Sequence, residues 1–292
     1  MSGARVPRVL SIAGTDPTGG AGIQADLKSI AANGGYGMAV VTALVAQNTT
    51  GVRSIHVPPV TFLAEQLDAV SDDVEIDAVK IGMLGNAEVV AVVSAWLDRV
   101  HPPAVVLDPV MVATSGDALL DEAALDALRA LVARADLVTP NVPELGALLG
   151  RPPATTWDGV LEQARALSAA YDVRVLAKGG HLEGDEVRDA LVDLRASAVG
   201  EAEVTELAGP RIRTTSTHGT GCSLSSAVAT VRARTGSWRR AVEESRRWLA
   251  ESIAHGADLR VGRGHGPVSH FAGLWARGGT TTPLAPGISP SS

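Results

Sequence analysis

The feature that most constrains the fold is a regular alternation of short β-rich runs with amphipathic helical segments. Residues 8–13 form the first such run, and residues 21–32 follow with isoleucine and leucine at helical spacing. The same order recurs several times up to residue 177. Repeated strand–helix units predict a parallel sheet with right-handed crossovers and helices on both faces, a three-layer α/β/α fold. Apolar residues are 46% of the chain and aromatic residues only 3%, which suits an aliphatic core of this kind.

Two further stretches give specific local expectations. Residues 38–46 are nearly continuous in apolar and β-branched side chains, which predicts one strand buried on both faces. Residues 121–133 show a leucine-rich stripe at helical spacing, and Asp121 is expected to cap the N-terminus of that helix.

The alternation stops near residue 181. Residues 186–193 and 204–212 are strand-like without helical period, so we expect antiparallel strands that extend one edge of the sheet. Two helices near the C-terminus then close the fold. We therefore expect a single domain over residues 1–277. The turn-rich residues 278–292 carry no charged side chain, and we expect a disordered tail there.

The overall charge excludes some classes of partner. The chain has 25 basic and 32 acidic residues, a net charge of −7, so no electrostatic footprint for nucleic acid or an anionic membrane is present. Cys222 is the only cysteine, which rules out an intrachain disulfide and favours a reducing compartment. No apolar run reaches the length of a membrane span, and the short apolar stretch near the N-terminus suits a strand better than a signal peptide. We expect a cytoplasmic protein.

Polar and glycine residues collect where the predicted strands end. In parallel α/β sheets ligands bind beyond the carboxyl ends of the strands, so these positions predict a site. The segments concerned are residues 14–22, 47–49, 82–83, 108–109, 141–144, 178–181 and 218–222.

The last of these segments, Gly219-Thr220-Gly221-Cys222, stands at the start of a predicted helix. Small residues there leave backbone N–H groups free, and the helix dipole favours an anion. The same position is expected to lower the pKa of Cys222. The alternative is a glycine-rich turn with a small buried cysteine. The chain has no P-loop motif, and Leu224 stands where a dinucleotide fingerprint needs its third glycine.

Oxygen-bearing side chains at successive strand ends suggest a magnesium site. Asp108, Asn141 and Glu144 carry the hard oxygen groups that Mg²⁺ prefers. The alternative for Asp108 and Asn141 is that they cap turns before Pro109 and Pro143. Lys178 follows an apolar strand and could reach a nucleotide phosphate, or it could extend to solvent as an ordinary surface lysine.

The motifs at these positions resemble those of the hydroxymethylpyrimidine kinase/phosphomethylpyrimidine kinase family, the thiamine-biosynthesis branch of the ribokinase-like superfamily. The resemblance runs in unbroken order from about residue 8 to residue 275. It is carried by residues 11–26, 42–48, 80–84, 107–111, 139–144, 178–181 and 217–222.

The resemblance implies a ribokinase-like three-layer fold, Mg²⁺ and ATP as cofactors, and two successive phosphorylations. The first would make 4-amino-5-hydroxymethyl-2-methylpyrimidine phosphate and the second its diphosphate. It also implies a homodimer. The pyrimidine pocket would be formed by Gly14, Asp26, Gln47, Met83 and Val110. Asp108 and Glu144 would serve the metal, Asn141, Lys178 and Thr220 would serve the nucleotide and the water shell of Mg²⁺, and Gly219, Thr220, Gly221 and Cys222 would form the catalytic anion loop.

Two alternatives to this function stay open on the sequence. Pyridoxal kinase belongs to the same superfamily and phosphorylates a similar hydroxymethyl group; Gln47 and Met83 favour the pyrimidine. A non-catalytic ligand-binding module is the other, and the joint presence of Asp108, Glu144 and Cys222 argues against it. Residues 112–117, polar and beside the site, are a candidate for a mobile flap.

Overall fold

The computed structural model describes residues 5–112, 116, 119–196 and 202–278. Its centre is an eight-stranded sheet with the order β10-β9-β8-β7-β6-β5-β1-β2, in which all neighbouring strands are parallel except the pairs β8–β9 and β9–β10, which are antiparallel. The predicted antiparallel edge is therefore confirmed. The strands are β1 (Arg8–Ala13), β2 (Tyr36–Val41), β3 (Leu44–Asn48), β4 (Gly51–His56), β5 (Ala78–Ile81), β6 (Val105–Leu107), β7 (Leu137–Val138), β8 (Arg174–Lys178), β9 (Glu186–Val192) and β10 (Val204–Pro210).

Helices cover both faces of this sheet, which confirms the three-layer prediction. One buried cluster joins the sheet to α2–α6, and a second joins its other face to α1, α7 and α8. Neighbouring residues of one strand serve opposite clusters, as Val9 and Leu10 of β1 do, because successive strand side chains alternate between faces. The helices are α1 (Gly22–Ala32), α2 (Val60–Ser71), α3 (Ala87–Val100), α4 (Leu125–Val132), α5 (Val142–Leu149), α6 (Trp157–Tyr171), α7 (Thr220–Thr235), α8 (Trp238–Ala254) and α9 (Ala272–Arg277).

The prediction of one continuous strand over residues 38–46 is wrong. β2 ends at Val41, and β3 instead pairs antiparallel with β4 in a separate two-stranded sheet that the sequence reading missed. The Thr42 hydroxyl donates to the Met83 carbonyl at 2.6 Å, which fixes the chain between β2 and β3. An apolar run gives no sign of such a break, since the sequence stays apolar or β-branched through Thr42 and Ala43.

The predicted cap at Asp121 is also wrong. Residues Glu122–Ala124 form a 3-10 turn, and α4 begins after Ala124 without a side-chain cap. The backbone N–H of Asp121 donates to the Gly85 carbonyl, and this link ties the segment to the loop before α3.

Two expectations concern residues outside the described part of the chain. Most of the proposed flap, residues 113–115 and 117, and residues 279–292 of the expected tail lie there. The extent of the single domain stays a prediction. No helix in the described ranges combines the length and apolar character needed to cross a membrane.

A fully buried ion pair joins four elements at the centre of the fold. Lys80 of β5 donates to both carboxylate oxygens of Asp26 of α1, at 2.8 Å each, and both side chains have 0% exposure. Hydroxyls from two further elements complete the site: Ser11 of β1 donates at 2.6 Å and Ser226 of α7 at 2.8 Å. The Asp26 charge raises the pKa of Lys80 above its ordinary value despite the opposing effect of burial.

We expect Lys80→Met to lower the free energy of unfolding by about 3–5 kcal/mol, because it leaves the Asp26 carboxylate buried without a counter-charge. Urea unfolding followed by circular dichroism measures the loss. Arg134→Met, which breaks an exposed pair with Asp98, is the matched control and should cost much less. Similar losses in the two variants would contradict the central role of the buried pair.

Candidate active site

A cavity of about 1230 Å³ opens at the carboxyl ends of the parallel strands, where the sequence predicts a site. It brings together almost all of the predicted site residues, which come from segments far apart in the chain. Those on its wall are Gly14, Gln47, Met83, Asp108, Val110, Asn141, Glu144, Lys178, Gly219, Thr220, Gly221 and Cys222.

Asp26 is the predicted site residue that the structure places elsewhere. Its carboxylate lies beneath the cavity, fully buried against Lys80, Ser11 and Ser226. The ammonium group of Lys80 in turn lies 2.7 Å from the point where a β-carbon on Gly82 would sit. Asp26 therefore supports the backbone next to Met83 from below, in place of the expected position on the cavity wall.

One end of the cavity is mainly apolar with a single amide group. Met83 and Val110 line it together with Val45 of the small hairpin. Gln47 projects from β3, and its Nε2 lies 3.4 Å from the Thr15 carbonyl, a long contact that leaves the amide available to a ligand. Gln47, expected directly after a strand ending at residue 46, instead lies within β3.

The other end contains the predicted anion loop, residues 219–222. Gly219 has a φ of +77°, and a β-carbon on it would lie 1.8 Å from the Gly20 carbonyl oxygen, so only glycine fits. α7 begins at Thr220, and no side chain caps its N-terminus. The Thr220 N–H donates to the Thr217 carbonyl at 3.3 Å, so the N–H groups left for an anion are those of Gly221 and Cys222. A β-carbon on Gly221 would lie 3.3 Å from the Lys178 ammonium, which places that charge beside the loop.

The expectation that the helix start lowers the pKa of Cys222 is wrong. Burial raises the pKa of the Cys222 thiol to about 11, and the nearby Lys80 charge only partly offsets this effect. Cys222 is accordingly a neutral thiol at neutral pH. The sequence shows the helix terminus but not how densely protein atoms surround this partly buried side chain, and desolvation is the larger of the two influences.

Asp108 and Lys178 form an ion pair on the cavity wall. The Lys178 Nζ lies 3.0 Å from Asp108 Oδ1, which also accepts the Thr139 hydroxyl at 2.9 Å. Burial would raise the pKa of Asp108, but Lys178 and Lys80 hold it below its ordinary value. Burial would likewise lower the pKa of Lys178, but Asp108 and Glu144 raise it. Both groups are therefore charged at neutral pH.

Glu144 and Asn141 form a capping box at the start of α5. The Asn141 side chain accepts the Glu144 N–H at 2.9 Å, and the Glu144 carboxylate accepts the Asn141 N–H at 2.8 Å. The capping alternative for Asn141 is thus correct as a structural role. Glu144 is only 8% exposed, and burial raises its pKa to about 7, with Asp108 adding to the effect.

These carboxylates fit Mg²⁺ in the manner usual for a nucleotide site. Mg²⁺ keeps several waters and takes one or two protein carboxylates together with substrate phosphates. Asp108 and Glu144 supply two such groups on one wall. Among the described residues, no group of three or more His, Cys, Asp or Glu side chains is placed to share a metal ion, so the protein alone does not form a closed cage.

Two residues near the site escaped the sequence reading. Asp16, in the loop before α1, is fully buried, and its carboxylate lies 2.8 Å from Nε2 of His218. Burial by itself would raise the pKa of Asp16, but hydrogen bonds from His218 and Thr18 lower it to about 2. An Asp two residues before a threonine is a signal for a local turn. Nothing in the local sequence indicates the partner 202 positions away.

Comparison with known proteins gives relatives over nearly the whole chain. The chain is 54% identical over 281 residues to the thiamine biosynthesis multifunctional protein of Corynebacterium glutamicum, covering 96% of this chain but 36% of that longer protein. It is 49% identical over 267 residues to the hydroxymethylpyrimidine/phosphomethylpyrimidine kinase of Salmonella typhimurium, covering 91% of this chain and 98% of that protein.

Solved structures share the fold. The ADP complex of Bacillus subtilis pyridoxal kinase matches with a TM-score of 0.80 at 29% identity, covering 92% of this chain and 99% of that one. The phosphomethylpyrimidine kinase of Clostridium difficile matches with a TM-score of 0.73 at 34% identity, covering 85% and 99%. The ribokinase-like architecture expected from the motifs is thereby confirmed.

The family model described as phosphomethylpyrimidine kinase matches residues 16–269, a span that contains most of the cavity wall described above. With that match and relatives about half identical in sequence, this chain belongs to the phosphomethylpyrimidine kinase family.

Proposed function

We propose that the chain is an ATP-dependent kinase that phosphorylates 4-amino-5-hydroxymethyl-2-methylpyrimidine and then phosphorylates the resulting monophosphate, in thiamine biosynthesis. The observation that carries this proposal is the shape of one cavity. Gln47 of the acceptor pocket and the anion loop beside Lys178 line this same cavity. The Salmonella typhimurium relative is named for both of these activities.

The phosphate-binding end would act by electrostatic stabilisation. The free N–H groups of Gly221 and Cys222 and the Lys178 ammonium would bind the transferring phosphoryl group. Losing one such preorganised donor typically costs about 2.7–4 kcal/mol. ATP as donor is supported by relatives solved with ADP and with AMP-PCP. Mg²⁺, held by Glu144 and Asp108 with Asn141 close by, would bridge nucleotide phosphates and neutralise charge during transfer.

The acceptor end would select the pyrimidine. The carboxamide of Gln47 can donate and accept at once, which matches the edge of an aminopyrimidine ring. Met83 and Val110 would pack on the faces of the ring, and Gly14 would let it approach the backbone. For Asp26 we propose an indirect part: through Lys80 it holds the backbone at Gly82 and Met83 beneath the ring.

The two acceptors differ in how much help they need to lose a proton. A hydroxymethyl group has a very high pKa, whereas a monophosphate has a second pKa near 6 and is largely dianionic at neutral pH. Cys222 lies in the first turn of α7, next to Gly221 of the anion loop. Because burial keeps it a thiol, which cannot take up a second proton, it would act as a relay: its S–H proton would pass to an oxygen of the transferring phosphoryl group as the sulfur takes the hydroxymethyl proton.

The homodimer, the cytoplasmic location and the lack of nucleic-acid or membrane partners stay predictions. They rest on the family resemblance and on the acidic composition of the chain. Light scattering on the purified protein would test the dimer.

Turnover assays decide between this function and its rivals. Purified protein with Mg²⁺ and ATP is offered the hydroxymethylpyrimidine and pyridoxal separately, and mono- and diphosphate products are resolved. We expect the pyrimidine to be carried through to its diphosphate. Pyridoxal turnover alone would favour a pyridoxal kinase, the name of several solved relatives. No ATP turnover with either compound would favour a non-catalytic ligand-binding module.

Cys222→Ala should affect the two phosphorylations unequally. We expect the first rate to fall by about 10²-fold, the lower end for loss of a positioned proton-transfer group, and the second rate by much less. Both rates are measured in single-turnover experiments with each acceptor. Cys222→Ser, which keeps a hydrogen-bonding group, is the control. Equal losses in both steps would contradict a part for Cys222 in deprotonation.

Glu144→Gln should stabilise the protein at high pH while lowering its activity. The folded state binds a proton at Glu144 that the unfolded chain loses at its ordinary pKa of 4.5, and the folded pKa is about 7. Stability is therefore lost as pH rises through this window, by about 3 kcal/mol for roughly two and a half pKa units. The amide removes this loss and still caps the Asn141 N–H.

Urea unfolding at pH 4 and pH 8, without nucleotide or Mg²⁺, measures the effect. The gain for Glu144→Gln should appear at pH 8 and be absent at pH 4. Glu65→Gln, at an exposed position on α2, is the matched control. A gain of the same size at both pH values would show that burial does not raise the pKa of the Glu144 carboxyl.

A further inference from the structure

The first loop, residues 14–21, is organised by one buried carboxylate. Oδ1 of Asp16 accepts the N–H of Thr18 at 2.9 Å and its hydroxyl at 2.7 Å. Oδ2 accepts the N–H groups of Gly20 at 3.0 Å and Ala21 at 2.8 Å. These bonds alone would satisfy the carboxylate within its own loop. It nevertheless takes a fifth donor from a distant part of the chain.

That donor is His218, the residue directly before the anion loop. Its Nε2 lies 2.8 Å from Asp16 Oδ2, and the ionised carboxylate can only accept, so Nε2 carries the proton. The backbone N–H of His218 donates to the Gly266 carbonyl at 3.0 Å. His218 is thus held on both sides, by its ring and by its backbone.

The two loops are also packed without a gap. A β-carbon on Gly20 would lie 2.5 Å from Cδ2 of His218, and one on Gly219 would lie 1.8 Å from the Gly20 carbonyl oxygen. Because no space separates them, the anion loop cannot shift without moving the first loop.

Thr15, the residue before Asp16, links the first loop to the acceptor pocket in the same way that Asp16 links it to the anion loop. Thr15 donates its N–H to the Ala43 carbonyl at 2.9 Å, and its hydroxyl oxygen accepts the Val45 N–H at 2.9 Å. Both contacts lie beside or within β3, the strand that carries Gln47. Thr15 therefore connects the first loop to the β3–β4 hairpin, and the next residue, Asp16, connects it to the anion loop.

We propose that Asp16 and His218 are positioning residues that set the anion loop, residues 219–222, at the correct distance and angle from the acceptor pocket. The inference rests on the proposed kinase function. Phosphoryl transfer needs the attacking oxygen and the transferring group in line, and a misplacement of about 1 Å can cost roughly 10²-fold in rate. Both phosphorylations use the same loop, so both depend on the pair.

Asp16→Asn tests the carboxylate with almost no change in shape. The amide replaces one acceptor oxygen with an NH₂ group that faces donors, so the loop must rearrange. We expect kcat of both phosphorylations to fall by about 30- to 100-fold, while the Kd of the hydroxymethylpyrimidine, measured by calorimetry, changes by less than about threefold. Asp98→Asn, which alters an exposed carboxylate paired with Arg134, is the matched control and should leave kcat unchanged.

A pair of variants at His218 keeps the test valid if Asp16→Asn folds poorly. Glutamine can place an NH₂ group near the position of Nε2, whereas leucine fills similar space without a donor. We expect His218→Leu to lose kcat as Asp16→Asn does, and His218→Gln to recover most of it. Thermal unfolding of each variant separates loss of folded protein from loss of rate.

Each outcome bears on the proposal. Lower melting temperatures with unchanged kcat in Asp16→Asn and His218→Leu would overturn it and leave a structural role only. A raised Kd for the pyrimidine with unchanged kcat would also overturn it, because the pair would then act on acceptor binding. Wild-type protein without turnover would instead refute the proposed kinase function.

Discussion

The buried ion pair between Asp26 and Lys80 is the interaction on which the arrangement of the site depends. Two charges without water are tolerated only when each is fully paired, and here hydroxyls of Ser11 and Ser226 complete the coordination. The four partners come from β1, α1, β5 and α7. Because α1 and α7 both begin at the cavity, the pair fixes their first turns relative to the strands that end there.

The phosphate-binding part of the site is positively charged although the protein as a whole is acidic. The chain is acidic, with a net charge of −7, yet the cavity presents Lys178 and the free N–H groups of α7 to a polyanion. Asp108 and Glu144 stand close to that lysine and keep it protonated although it is buried. Lys178 and Asp108 thus stabilise each other's charge before any ligand is present, whereas burial and Asp108 raise the pKa of Glu144 to about 7.

Much of this could be predicted from the sequence, and the errors have a common origin. The order of strands and helices follows from hydrophobic period, and the strand ends then indicate the site. The break after Val41 could not be seen, because residues 38–46 are apolar whether they form one strand or two. Gln47 is consequently predicted just beyond a strand end, although the small hairpin of β3 and β4 is what brings it to the cavity.

The sequence by itself determined the three-layer fold, the family, and the residues that gather at the cavity, because these follow from local period and from motif order. Only the tertiary structure decided the pKa of Cys222, the buried position of Asp26 and the pairing of Asp16 with His218. The reason is physical: solvation and charge–charge contacts depend on distances through space. Packing sets these distances between residues that the chain keeps far apart, so spacing along the sequence does not report them.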